Sequence, residues 1–363
     1  MNEVPQTSQS VFTPASGEGE QQEAPVLKIE GLRKEFAKRS LADLLAKRDG
    51  VRTLALDDVS LSIAPREALA LVGESGSGKT TLARSLVRLV DPDAGSIEFH
   101  GSDILKCSRG DLSSIRRRIQ LIYQDPYSSL NSAIKIGDAI IEPALVHHLV
   151  DKAGAASRLE ELLGHVGLGP TLARRYPRAL SGGQRQRVAI ARALAAEPEI
   201  LIADEAVSAL DVSVQAQVIR LFARLRAELG LTLIFVSHQL ATVAQLCERV
   251  AIMYRGQLVE LGPTAEVFAR PRHGYTAALI GAHPGGRRLR ARMNGAAAPS
   301  PAPSLQKPGC PFQHRCAFAA EICAHETPPP VLIAPGHVAR CHVLPHDLDL
   351  AASAGVRGRD TPA

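Results

Sequence analysis

Tryptophan is absent from the 363 residues, and aromatic side chains make up only 4% of them. That poverty argues against base-stacking platforms for nucleic acid. The formal net charge of +5 is scattered along the chain apart from one arginine group, so no nucleic-acid partner is expected. No stretch approaches roughly 18 uncharged apolar residues, so no membrane-spanning segment is expected. Residues 1–25 are rich in Gln, Ser, Glu and Pro, without a basic start or an apolar run. No secretory signal is therefore expected, and the reading is a cytoplasmic protein. Also missing is any Cys-x2-Cys pair, which disfavours the commonest zinc sites. What remains, 45% hydrophobic and 22% charged, is ordinary for a globular protein large enough for one big domain and a smaller one.

The chain is organised around the stretch from Leu69 to Leu82. An apolar run, Leu69-Ala70-Leu71-Val72, meets Gly73, and a helix-compatible run opens after Gly78. Between them Gly73, Gly78, Lys79 and Thr80 fill the pattern G-x-x-x-x-G-K-[ST]. The spacing suits a triphosphate: glycines let successive backbone N–H groups turn inward, and the helix start adds partial positive charge. Gly73, Glu74, Ser75, Gly76, Ser77, Gly78, Lys79, Thr80 and Thr81 are the expected phosphate-binding residues. Lys79 would reach the β and γ phosphates and Thr80 would meet Mg²⁺. The bland alternative, a chance glycine-rich turn, fits poorly between a strand and a helix.

Residues 1–24 lack apolar periodicity and read as a disordered tail. Strands are expected at Val26–Ile29, Leu54–Ile63, Ser96–Phe99, Ile119–Tyr123, Ile200–Ala203 and Leu231–Val236, with a basic surface insertion over Ala37–Arg52. Helices are expected over Lys79–Leu89, Gly182–Ala196 and Val214–Leu229, with a helical insert from Ile134 to Arg175. Continuous apolar runs such as Ile200–Ala203 mark strands buried on both faces, so the alternation means an α/β fold with a parallel sheet. The organisation expected is a nucleotide-binding domain over 25–270 with its helical part at about 125–185. A linker over 271–306, a cysteine-bearing domain over 307–345 and a disordered tail over 346–363 follow. The arginines of the linker, Arg287, Arg288, Arg290 and Arg292, read first as a solvated face and second as a contact for anionic lipid.

Asp204 and Glu205 follow the Ile200–Ala203 strand, at the sheet edge where ligands bind in open α/β folds. Asp204 is placed to hold Mg²⁺, and Glu205 to polarise an attacking water; an acidic pair capping a helix is the structural alternative. Ser181, Gly182, Gly183 and Gln184 open a helix as a second anion site, with Ser181 a good N-cap. His238 sits after another buried strand, a place that favours function although a lone histidine is usually structural.

Taken in order, these segments resemble the ATP-binding cassette ATPases, over roughly Val26 to Arg270. The marks are GESGSGKT (Walker A), Gln124 (Q-loop), LSGGQ (signature), ILIADE (Walker B), SALD ending at Asp211 (D-loop) and His238 (switch histidine). The resemblance implies a RecA-like P-loop core with an antiparallel β subdomain and an α-helical signature subdomain. It implies ATP and Mg²⁺ as cofactors, with Thr80, Gln124 and Asp204 about the metal and Glu205, His238 and Lys79 as the catalytic set. ATP would be sandwiched between the Walker A of one subunit and the signature of a second. Phe36 looks like the aromatic that stacks on adenine; an ordinary core phenylalanine is the alternative. Ala206 and Gln239 stand where the family commonly has Pro and Asp, and neither change removes a phosphate-touching group.

Within that family, Tyr123-Gln124-Asp125-Pro126-Tyr127-Ser128-Ser129-Leu130-Asn131 resembles the block of oligopeptide, dipeptide and nickel importers. Four of the six cysteines, Cys310, Cys316, Cys323 and Cys341, fall in the terminal segment within the context GCPFQHRC, which resembles that subfamily's C-terminal extension. In a reducing compartment metal ligation is preferred to disulfides, with a [4Fe–4S] cluster expected and zinc or plain thiols as rivals. Cys107 and Cys247 read as ordinary thiols. The implied protein is a peripheral ATPase on the cytoplasmic face of the inner membrane. It would pair with a second, similar or identical ATPase and drive two permease subunits fed by an extracytoplasmic solute-binding protein. The solute would be a peptide, or alternatively nickel or another small molecule. A soluble cassette ATPase of DNA repair or translation, and a degenerate regulatory ATPase, are the rival readings. The residues near the Q-loop, Tyr127, Leu130 and Ile134, are expected to be exposed to a permease helix.

Overall fold

The computed structural model describes residues 23–38, 51–125, 130–282 and 308–343. Expectations for the N-terminal tail, residues 39–50 of the insertion, Tyr127, the arginine group at 287–292 and the tail 346–363 fall outside them, apart from residues 23 and 24.

Eight strands form the main sheet in the order β11-β12-β10-β9-β3-β8-β7-β6. Its centre comprises β3 (Ala68–Val72), β6 (Ile119–Ile122), β7 (Ile200–Asp204), β8 (Thr232–Ser237) and β9 (Arg249–Tyr254). These pair in parallel. Every residue of β3, β7 and β8 is buried, and successive side chains serve opposite cores. Ala68, Ala70 and Val72 face one core with Leu201, Ala203, Leu233 and Phe235. Leu69 and Leu71 face the other with Ile200, Ile202, Ile234 and Val236. Because neither face meets water, the three strands read as unbroken apolar runs rather than alternating ones.

The second core is closed by α1 (Lys79–Leu86) and by a four-stranded antiparallel sheet in the order β2-β1-β4-β5. Its strands are β1 (Leu27–Lys38), β2 (Val51–Ile63), β4 (Ala94–Phe99) and β5 (Ser102–Asp103). An unexpected helix, α2 (Arg109–Arg118), leads into β6. The first core is covered by α3 (Ile136–Val146), α4 (Ala155–His165), α5 (Gly182–Leu194) and α6 (Val212–Leu229), the first two forming the expected helical insert. The α/β class with an antiparallel subdomain and a helical subdomain is thus the observed architecture.

Several boundaries differ from the sequence reading. β1 runs on to Lys38 because β2 pairs with it along its length. α1 stops at Leu86, before Arg88 with its left-handed φ of 50°. After β8 come α7 (Leu240–Leu246), β9, β10 (Gln257–Pro263) and α8 (Thr264–Ala269), none of which was expected. β9 and β10 form a hairpin through Arg255 and Gly256, whose φ values of 47° and 83° fit a tight two-residue turn. The stretch expected to be a linker from residue 271 begins instead with α9 (Gly274–Ala282), in which Tyr275 is buried.

The cysteine-bearing segment does not stand apart. It carries a short helix α10 (Ile322–His325) and a hairpin of β11 (Pro330–Ala334) and β12 (His337–Arg340). β12 pairs with β10, so the hairpin extends the main sheet. Cys310, Phe312 and Cys323 sit inside the first core. Phe312 is 1% exposed and packs edge-on against Tyr254 and Tyr275. Burying one such ring contributes on the order of 2 kcal/mol. The segment therefore draws stability from packing into the main core.

Candidate functional site

The loop from Gly73 to Thr80 joins β3 to α1 at the C-terminal end of the parallel strands. Two of its glycines are dictated by space. A Cβ on Gly73 would lie 2.2 Å from the Met253 carbonyl oxygen. At Gly78, where φ is +104°, a Cβ would lie 2.4 Å from the carbonyl oxygen of Ala55. Strands β9 and β2 thus crowd the loop from behind, and only glycine lets the backbone close up.

Lys79 is 4% exposed, and its ammonium donates to the carbonyls of Gly73 and Glu74, each at 2.8 Å, and to Ser77 Oγ at 3.3 Å. Burial pulls its pKa below the usual lysine value, against the opposing pull of Glu205, Asp204 and Glu74. The Thr80 hydroxyl donates to Asp204 Oδ1 at 3.1 Å. Burial pushes the Asp204 carboxyl above its usual range, the Thr80 bond opposing it. A hydroxyl and a buried carboxylate side by side are an oxygen donor set that suits Mg²⁺, whose charge would relieve the cost of burying Asp204.

Glu205 follows β7 with a φ of 48°, a strained setting for a residue with a side chain. Its N–H donates to the Val236 carbonyl at 3.1 Å, and its own carbonyl accepts from the N–H and Oγ of Ser208. Gln124 Nε2 donates to Glu205 Oε2 at 2.9 Å, and His238 Nδ1 lies 3.7 Å from Oε1. Three residues far apart in sequence, each just past the end of β6, β7 or β8, therefore meet at one carboxylate beside the loop. Acid at this strand end is a shared centre rather than a simple helix cap.

The signature residues lie elsewhere. Ser181 caps α5: its Oγ accepts from the Gln184 N–H at 3.3 Å, and Gln184 Oε1 accepts from the Ser181 N–H at 3.1 Å. Asp211 begins α6 as its N-cap. Phe36 is 41% exposed in β1 with the Lys34 ammonium 5.4 Å from its ring centre, so it is no core phenylalanine. Ala206 is buried, and Gln239 sits at the start of α7, where its Oε1 accepts from the Thr242 hydroxyl at 3.2 Å.

With this geometry in view, the likenesses to known proteins are specific. Residues 56–208 match the ABC transporter family, and residues 259–323 match the oligopeptide/dipeptide transporter C-terminal region. A putative peptide import ATP-binding protein of Brucella ovis is 42% identical over 323 residues, which is 88% of this chain and 98% of that one. The chain belongs to the ATP-binding cassette family of transporters. It is an ATPase of that family. A probable peptide ABC transporter ATP-binding protein, y4tS, of Sinorhizobium fredii is 47% identical over 290 residues, 80% of this chain and 82% of its own length. The solved dimeric cassette MJ0796, in a post-hydrolysis state bound to ADP and Pi, has a TM-score of 0.58 at 27% identity and covers 66% of this chain and 98% of its own.

One expectation gains no support and another fails at this level of detail. Among the described residues no group of three or more His, Cys, Asp or Glu side chains is arranged to hold a metal ion. The four C-terminal cysteines lie within electrostatic reach of one another, but burial pushes the Cys310 and Cys316 thiols up to about 11. Cys310 lies beside His273 Nε2 at 3.9 Å, and Cys316 packs against Gly274. The expected iron–sulfur or zinc centre at Cys310, Cys316, Cys323 and Cys341 gains no support. Leu130, expected to be exposed, is buried at 5% because the helical subdomain closes over it. Leu89, Tyr123 and Val146 are among the exposed apolar side chains. They line a cavity of about 520 Å³ between β6, α3 and α5, whose walls also carry Arg116, Glu142, His147 and Arg192.

Two residues touching the loop were missed by the sequence reading. The Tyr275 hydroxyl accepts the Glu74 N–H at 2.7 Å. Arg315 donates to both carboxylate oxygens of Glu74, at 2.9 and 3.1 Å. Arg315 lies inside the GCPFQHRC block, so a signal was at hand, whereas nothing in the sequence marks Tyr275.

Proposed function

We propose that this ATPase is the energy-supplying subunit of a peptide importer, bound to the cytoplasmic face of the membrane through two permease subunits and paired with a second ATPase. The observation that carries the reading is the Glu205 carboxylate, held by Gln124 and facing His238 beside the Thr80–Asp204 pair. Peptide as the solute rests on the likeness of residues 259–323 to oligopeptide/dipeptide transporters and on the similarity to peptide import ATP-binding proteins.

In this reading the Walker A N–H groups and Lys79 hold the β and γ phosphates. Lys79 then exchanges its carbonyl partners for phosphate oxygens. Mg²⁺ would be held by Thr80 and Asp204, with Gln124 near it, and would supply charge neutralisation on the phosphates. Glu205 takes a proton from the attacking water, and His238 lies in reach of the γ-phosphate. Phe36 stacks on adenine, and a partner ATPase presents Ser181, Gly182, Gly183 and Gln184 to the same nucleotide, with Asp211 at the seam. The Leu89, Tyr123 and Val146 cavity, whose Tyr123 precedes Gln124 in the chain, offers a permease segment a seat of mixed apolar and charged character. Movement of Gln124 would then link hydrolysis to that seat. No helix among the described residues is long and apolar enough to cross a membrane, in keeping with reliance on permease subunits for the membrane path.

The test is Glu205→Gln in the complex co-expressed with its permeases. ATP binding should persist while turnover falls by about 10²–10⁴-fold, the range for losing a general base, and uptake of labelled peptide should stop. Near wild-type turnover would remove Glu205 from the role. Full turnover without peptide uptake by the wild-type complex would remove the solute assignment.

A further inference from the structure

The phosphate loop is held from outside by the C-terminal segment. Glu74, the second residue of GESGSGKT, is fixed at two points. Its backbone N–H points away from the loop's interior to the Tyr275 hydroxyl at 2.7 Å. Its carboxylate is forked by the Arg315 guanidinium, at 2.9 and 3.1 Å across 241 positions of sequence. The two clamping residues are themselves rigidly seated. Arg315 lies over the Phe312 ring at 5.5 Å, and Phe312 packs on Tyr275 at 5.4 Å. Tyr275 also packs on Tyr254 at 4.5 Å, and Tyr254 ends β9, the strand whose Met253 carbonyl backs Gly73. On the far side, Cys316 lies so close to Gly274 that a Cβ there would meet its sulfur at 2.5 Å, which locks α9 to the block carrying Arg315.

The electrostatics give the clamp a purpose. Glu74 puts a carboxylate one residue from Gly73, inside a loop that must receive several negative charges. An unpaired carboxylate there would repel the phosphates and could compete for Lys79, whose ammonium already bonds the Glu74 carbonyl. A bidentate guanidinium cancels that charge and fixes its direction, which a lysine could not do as well. We propose that Arg315 and Tyr275 are positioning residues for the phosphate loop, through which the C-terminal segment sets how tightly the chain binds MgATP. This rests on the loop being the nucleotide site.

The experiment is calorimetric binding of MgATP to the full-length chain, with turnover measured in the permease complex and the melting temperature of each variant recorded. Arg315→Ala should raise Kd and KM about five- to tenfold and leave kcat within about twofold, as fits losing one charge-assisted pair. Arg315→Lys should recover part of the affinity, and Tyr275→Phe should cost less than Arg315→Ala. The decisive measurement is the double variant: in a Glu74→Ala background, Arg315→Ala should cause little further loss, since its direct contact with the loop is gone and only the packing through Phe312 and Tyr275 remains. An unchanged Kd in Arg315→Ala, or losses that simply add in the double variant, would overturn the proposal. So would a fall in kcat and melting temperature with Kd unmoved. If Arg315→Ala does not fold, the same comparison is made with Arg315→Lys, where a wild-type Kd overturns it. Lys79→Ala separates the two levels: if it still binds MgATP like the wild type, the loop is not the nucleotide site and the failure belongs to that reading instead.

Discussion

The two helix starts that the sequence marks as anion sites are built in opposite ways. At α1 the N-cap is Gly78, in a left-handed conformation and with no side chain to satisfy the first turn. Buried Lys79 there bonds carbonyls of its own loop. At α5 the N-cap is Ser181, and a reciprocal capping box with Gln184 satisfies the first turn from within. The first end is crowded from behind and open in front, so its geometry is set by the fold around it and its polar groups wait for a ligand. The second satisfies its own polar groups, although α6 packs closely behind it: a Cβ on Gly183 would lie 2.5 Å from Val214. A self-capped helix start costs nothing to leave exposed until a second subunit brings a nucleotide to it.

Substitutions at the two ends should separate them. Gly78→Ala is expected to have the largest effect, because a side chain is disfavoured at φ +104° and its Cβ would meet Ala55 backbone. A stability loss of about 2–4 kcal/mol is expected, together with loss of MgATP binding, read by thermal melting and calorimetry. Ser181→Ala should cost about 1 kcal/mol, the usual worth of an N-cap, and leave MgATP binding by the isolated chain unchanged. Gly182→Ala should be the mildest. Its new methyl would sit at an ordinary 3.4 Å from Leu210, so a gain of about 0.5 kcal/mol is expected in the melt. If it nonetheless abolishes turnover in the assembled complex, the second end acts only across a subunit boundary. Equal effects of Gly78→Ala and Gly182→Ala would erase the contrast.

What could be read from sequence follows the same division. β3, β7 and β8 were legible because both their faces are buried, and the loop, Asp204 and Glu205 were legible because phosphate chemistry fixes their spacing. β9 and β10 were missed although Arg255-Gly256 between two apolar runs is a hairpin signal. α9 was lost inside a Gly- and Ala-rich stretch taken as linker, because burial of Tyr275 depends on partners that only the fold supplies. Leu130 failed for a like reason, since exposure is a property of how the helical subdomain closes. The Glu74–Arg315 pair joins residues 241 positions apart, and periodicity carries no information over that distance. Cysteine spacing carries no sign that Cys310 and Cys323 pack inside the main core, which only the fold supplies.

The hairpin of β11 and β12 also decides how the main sheet ends. Without it, β10 would be a border strand rich in Leu258, Val259 and Leu261, with a row of free backbone groups able to recruit strands from other molecules. With it, the border becomes β11, only 5 residues long. Pro328, Pro329 and Pro330 precede or open that strand and Pro335 follows it, none of them able to donate a backbone hydrogen bond. The chain thus closes its largest sheet with a strand that is hard to extend. The same segment that steadies the phosphate loop at one end guards the protein against self-association at the other.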